Sequence, residues 1–167
     1  MQRDRVGAVW AGLGLIGLGT ALILAQWIGW EKVWPIFPIL AGLAFLTGYV
    51  ASGFKDAGLA FVGTAATLVG LFFFGFSLGY WDWAQMAQLW PVLPMIGGVA
   101  FLVLFLAAGR ARDVGVLGVG CAGIVVGVVG LGLAFGLVGD QILRYWPLLL
   151  VFVGVLSLLG ALLRGFR

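Results

Sequence analysis

Fifteen charged residues divide this chain into six long stretches that contain none, and that spacing decides what it can fold into. The stretches are Val6–Trp30, Val33–Phe54, Ala57–Trp81, Trp83–Gly109, Val114–Gly139 and Tyr145–Leu163, of 25, 22, 25, 27, 26 and 19 residues. A helix rises about 1.5 Å per residue, so a hydrocarbon layer about 30 Å thick takes roughly 20 residues to cross. A charge at mid-span costs about 2.5–3.5 kcal/mol on insertion scales, whereas each Leu, Ile, Val or Phe returns only a few tenths. Six such runs predict six transmembrane helices. The rival architecture, a membrane barrel, needs strands of about ten residues that alternate apolar and polar. Val9-Trp-Ala-Gly-Leu-Gly-Leu-Ile16 and Leu71-Phe-Phe-Phe-Gly-Phe76 do not alternate.

Composition enters as a check on the solvent. The chain is 63% apolar and 9% charged, with mean hydropathy +1.20, too few polar residues to clothe a water-soluble core. The first run is too long for a signal-peptide core and precedes no small-x-small cleavage site, so it reads as a true span.

If the helices cross in series, one side holds Arg3, Arg5, Lys55, Arg110, Arg112, Arg164 and Arg167 and the other only Lys32 and Arg144. The positive-inside rule then puts both termini in the cytoplasm. The net charge of +3 is a topology signal, and no basic patch on a soluble face argues for nucleic acid.

The dipeptide Trp-Pro recurs at Trp34-Pro35, Trp90-Pro91 and Trp146-Pro147, always 56 residues apart, each followed by glycines at Gly42, Gly98, Gly154 and Gly53, Gly109, Gly165. Upstream, Arg5-Val-Gly, Asp56-Ala-Gly and Asp113-Val-Gly open Gly-rich apolar runs. A fixed period of this kind marks an internal repeat. The expected architecture is an all-α integral membrane protein of three tandem helical hairpins, residues 1–54, 55–110 and 111–167. Pro suits a helix start because its missing N–H would be orphaned there anyway. Trp beside it suits the headgroup level, so Trp34, Trp90 and Trp146 should mark the outer interface with most of the other indoles. Asp82-Trp-Ala-Gln85 has the form of a capping box and predicts a short interfacial helix over 82–89.

Among the 29 glycines, Gly75–Gly79, Gly123–Gly127 and Gly132–Gly136 are small-xxx-small pairs of the kind that let helices approach closely in lipid. The fifth run carries glycine on several faces and is expected to pack on several sides, at the centre of the bundle or against a partner subunit, while the Leu71-Phe-Phe-Phe74 stretch is expected to face lipid.

Chemistry is scarce. The chain has no histidine and one cysteine, Cys121, so it offers no catalytic His arrangement, no internal disulfide and no metal or cofactor set. Gly12-Leu-Gly-Leu-Ile-Gly17 spells a dinucleotide fingerprint, but inside a span it lacks the strand–turn–helix context that gives those letters meaning. No ionisable group interrupts a run, so a proton or ion relay is not expected. The remaining readings are a non-catalytic protein acting through helix–helix and lipid contacts, with membrane-protein partners or copies of itself, and a channel for a small neutral solute lined by Thr and Ser.

The unit Gly14-Leu-Ile-Gly-Leu-Gly through Trp34-Pro-Ile-Phe-Pro-Ile-Leu-Ala-Gly42, and again Tyr145-Trp-Pro-Leu-Leu-Leu-Val-Phe-Val-Gly154, resembles the LiaI/LiaF-like transmembrane domain. The resemblance implies a bacterial cell-membrane protein, and in some members an envelope-stress role in which the membrane part restrains a sensor kinase.

Overall fold

The computed structural model describes residues 2–109 and 113–137, with 139, 144, 145, 147, 148, 151, 154, 155 and 158. Among these residues the only regular structure is helical: α1 (Gln2–Ile28), α2 (Trp30–Val33), α3 (Ile36–Ala51), α4 (Ala57–Ser77), a 3-10 turn (Trp83–Gln85), α5 (Met86–Leu89), α6 (Val92–Ala107) and α7 (Val114–Ala134). Trp30–Ala51, Ala57–Ser77 and Val114–Ala134, of 22, 21 and 21 residues, are each long and apolar enough to cross a membrane. Trp83–Leu89 with Val92–Ala107 adds a fourth if that pair, bent by 57°, counts as one span. The described residues therefore give three or four spans where the sequence reading expects six. In the first run only Gly14–Ile28 counts as a shorter apolar helix, and most of the sixth run lies outside the described residues.

The bend has a local cause. Proline has no N–H to give and its ring crowds the preceding turn. α5 closes with the Trp90 N–H donating to the Met86 carbonyl at 2.9 Å, Pro91 follows, and α6 restarts with Leu93 N–H on the Trp90 carbonyl at 3.0 Å. The α2–α3 junction repeats the arrangement, with Trp34 N–H on Trp30 at 3.0 Å and Phe37 N–H on Trp34 at 3.2 Å. Pro35 and Pro91 thus sit one residue ahead of their helices as caps, and both are fully buried.

The turns ahead of α4 and α7 are fixed by carboxylates. Asp56 accepts N–H bonds from Gly58 and Leu59 at 3.1 and 3.3 Å, and Asp113 accepts from Gly115 at 2.8 Å, satisfying donors that the first turn of a helix leaves bare. The turn between α4 and α6 is fixed by the capping box: Ala84 N–H donates to the Asp82 carboxylate at 3.0 Å and Asp82 N–H to the Gln85 side-chain oxygen at 3.0 Å. Four of the described helices end on a left-handed glycine, Gly53, Gly79, Gly109 and Gly136, and the paired reverse bonds of a Schellman motif are present at Gly53, Gly79 and Gly136 (Tyr80 N–H to Gly75 and Gly79 N–H to Phe76, both 3.0 Å, for α4).

Extensive packing joins α3 to α4, α4 to α6 and α6 to α7, while α1 touches α2 and α3 more lightly. Two expectations are corrected here. Phe72 and Phe76 do not face lipid: they are 5% and 3% exposed and form the core with Ile96, enclosed by Leu68, Val69, Phe73, Met86, Leu89, Val92 and Leu93. Residues four apart share a helix face, so a Phe run sends Phe72 and Phe76 inward and leaves Leu71, half exposed, on the other side. Of the two placements expected for α7, the centre of the bundle is not the one found among the described residues: Val119, Val125, Val126 and Val128 are exposed, and α4, flanked by α3 and α6, is the central helix. Glycine on several faces of α7 reflects one seam plus a helix end.

Candidate functional site

The most specific feature of the described residues is a helix seam built twice. α3 and α6 are both 16 residues long and offset by 56 positions, while α4 and α7 are both 21 residues long and offset by 57. Across the α3–α4 seam a Cβ at Gly42 would lie 2.7 Å from the Gly63 carbonyl and 2.5 Å from the Thr67 nitrogen. One at Gly63 would lie 2.8 Å from Leu46 Cγ, and one at Gly70 would lie 2.6 Å from Ile39 Cγ1 and 3.0 Å from the Pro35 carbonyl. Across α6–α7 every partner recurs at its offset position. Gly98 meets Gly120 and Ile124 at 2.6 Å each, Gly120 meets Leu102 at 2.9 Å, and Gly127 meets Met95 Cβ at 2.5 Å and the Pro91 carbonyl at 2.7 Å. No side chain fits at these positions without pushing two backbones apart. Lipid tails are as apolar as Leu, so close backbone approach, rather than escape from water, holds such helices together.

The structure separates the glycines singled out from sequence. Gly123 and Gly127 lie in the α6–α7 seam, Gly123 against the Pro94 carbonyl at 2.8 Å. Gly75 packs under the Trp81 indole, not a helix. Gly79 and Gly136 both have positive φ, +79° and +67°, and stand at helix ends, where a Cβ on either would meet nothing within 4 Å. Gly132, buried, accepts the Leu137 N–H at 2.8 Å in the same helix-ending motif. Sequence reading missed Gly63 and Gly70, took Gly120 only as one of the many glycines of the fifth run, and took Gly42 and Gly98 only as repeat markers. A readable signal existed, since Gly58, Gly63, Gly70, Gly75 and Gly79 recur 57 residues later as Gly115, Gly120, Gly127, Gly132 and Gly136. The contacts run seven residues along α4 and α7, whereas a search for glycines four apart looks elsewhere.

Above the seams sits an aromatic cap. Trp83 stacks on Phe76 at 5.0 Å and on Phe73 at 6.3 Å, Trp81 meets Phe72 and Phe76 at 5.8 and 5.5 Å, and Trp34 reaches Phe73 at 5.2 Å. Ser77 Oγ donates to the Glu31 carbonyl at 3.0 Å, tying α2 to the end of α4. Trp27, Trp30, Trp83 and Trp90 stay more than half exposed, as indoles at a headgroup layer do. Trp90 and Pro91 thus divide their work, the indole outward and the ring inward against Gly130. Pro147 is described and helical; Trp146 lies outside the described residues.

Polar groups offer little chemistry. The hydroxyls of Thr20, Thr47 and Thr67 donate at 2.8 Å to their own helices, at Ile16, Ala44 and Gly63. The groove between α1 and α3, about 380 Å³ and open to one side, is lined by Gly14, Leu40, Leu43, Ala44, Thr47, Gly48 and Ala51. Cys121 is a free, half-buried thiol on α7.

Apolar helices of spanning length, seams closed by backbone rather than side-chain polarity and an indole-rich rim define a helical membrane protein. Residues 60–102, which run from α4 through the capped turn into α6, match the family model of the LiaI-LiaF-like transmembrane region. No curated protein and no solved structure matches the chain.

Proposed function

We propose that this chain is a non-catalytic membrane regulator or accessory subunit of the envelope-stress type, acting through helix–helix contacts inside the bilayer. The observation that carries this reading is the match at 60–102, which falls on the hairpin whose two helices bear a glycine seam each. In this account six spans form three tandem hairpins in a prokaryotic cell membrane, with both termini cytoplasmic, as the distribution of Lys and Arg favours. With short turns leaving little soluble surface, a partner is met within the membrane or at the outer aromatic cap. The neutral-solute channel loses support because three hydroxyls that would line it are spent on their own backbone and the seams between helices are filled.

Purification of the intact protein from its native membrane in mild detergent, with mass-spectrometric identification of stoichiometric companions, tests the reading. A second membrane protein that survives washing and is lost on Trp83→Ala or Gly98→Leu is expected. Recovery of this chain with no other protein in any condition, or solute flux through reconstituted vesicles, would overturn it.

A further inference from the structure

The twice-built seam has two unmatched halves, one at each end of the repeat series. The second-helix half consists of Pro35, Ile39, Gly42 and Leu46 in α3 and of Pro91, Met95, Gly98 and Leu102 in α6; its counterparts 56 residues on are Pro147, Val151, Gly154 and Leu158. In the first two copies these residues are buried or half-buried, whereas Val151 and Leu158 are 58% and 66% exposed and a Cβ at Gly154 would meet nothing within 4 Å. The first-helix half consists of Gly63, Thr67 and Gly70 in α4 and Gly120, Ile124 and Gly127 in α7. The corresponding residues of α1, matched through Arg5, Asp56 and Asp113, are Gly12, Ile16 and Gly19. Gly12 and Gly19 likewise meet nothing within 4 Å, and Ile16 is 67% exposed.

We infer that these two faces bind each other between copies, so that the Gly12–Ile16–Gly19 face of one chain docks on the Val151–Gly154–Leu158 face of the next. The warrant is not the presence of glycine but the occupied precedent. The same residue pattern is filled by the complementary pattern at both places where the chain brings the two together. Packing among the described helices follows a row, α3 on α4, α4 on α6 and α6 on α7, and a row of this kind is extended by adding a further unit at its end. Such a contact is heterologous, so repetition yields a ring or a chain of subunits rather than a two-fold dimer. The inference goes beyond the accessory reading and does not need it: a missing companion protein would leave it standing.

Disulfide mapping in native membranes tests it. The precedent pair is Leu102 with Gly120, where a Cβ on the glycine first meets the Leu102 side chain, at 2.9 Å, the atoms that a cysteine in place of the leucine removes. In a Cys121→Ser background, one tagged copy carries Gly12→Cys and a differently tagged copy carries Leu158→Cys. Oxidation is expected to link the two tags, with no link between like copies, and the double variant in one chain is expected to give a ladder of multimers. A fast-migrating closed monomer without a ladder, links only between like copies, or no links at all would each overturn the inference. Gly19→Leu provides the second readout: because nothing lies near Gly19 within the chain, unfolding should be unchanged while the oligomeric fraction in nanodiscs falls at least tenfold. Undiminished assembly of that variant would contradict the proposal.

Discussion

Gly98 lies against Gly120 so closely that a Cβ on the former would stand 2.6 Å from the carbonyl oxygen of the latter, and Gly42 and Gly63 repeat the relationship at 2.7 Å. The same close approach at two places in one chain makes glycine, rather than any polar group, the carrier of helix specificity here.

The adjacent pair Gly97 and Gly98 separates packing from propensity. A Cβ at Gly97 would meet nothing within 4 Å. Gly98→Ala should therefore destabilise by about 1–3 kcal/mol through overpacking, whereas Gly97→Ala should be neutral or stabilise by up to about 1 kcal/mol through helix propensity. Unfolding by SDS titration in mixed micelles measures both. Equal effects would remove the seam as the organising contact.

Gly79 and Gly136 should respond to substitution by conformation alone. With φ at +79° and +67° and open space around each, Ala should cost roughly 1–2 kcal/mol, Asn less and Val more. The same titration over the three variants checks the order, which a packing role would reverse in favour of the smallest side chain.

The Asp caps should act as donors' partners rather than as charges. Asp56→Ala should cost about 1 kcal/mol, with Asp56→Asn retaining most of the stability because the amide oxygen still accepts from Gly58 and Leu59. An Asn variant as damaging as Ala would show that charge, not the cap, matters.

Phe76 and Leu71 test which face of α4 is enclosed. Phe76 is 3% exposed under two indoles, so Phe76→Ala leaves a cavity and should cost about 3 kcal/mol or more. Leu71 is half exposed on the opposite side, and lipid replaces what Leu71→Ala removes, so its cost should stay below about 1 kcal/mol.

Local signals in the sequence were readable where one residue dictates a local geometry. Asp82 and Gln85 cap the short helical turn that follows them because the box needs only four residues to specify it, whereas Gly53 and Gly109, read only as repeat markers, prove to be positive-φ helix ends. Which glycines meet was less legible, because pairing depends on rotation about helix axes that periodicity does not fix. The aromatic run deceived for a related reason. Apolarity alone cannot distinguish a ring against lipid from a ring against Trp81 and Trp83, since both environments are equally dry.

The claim beneath all of this is that the chain passes through the bilayer six times, with its few charges marking where it emerges. Single cysteines in a Cys121→Ser background, probed on intact cells with a membrane-impermeant maleimide, test it directly. Lys32→Cys, Gln88→Cys and Arg144→Cys should label from outside, while Gln2→Cys, Lys55→Cys and Arg112→Cys should label only after permeabilisation. Labelling of Lys32 and Lys55 variants from the same side would contradict the account.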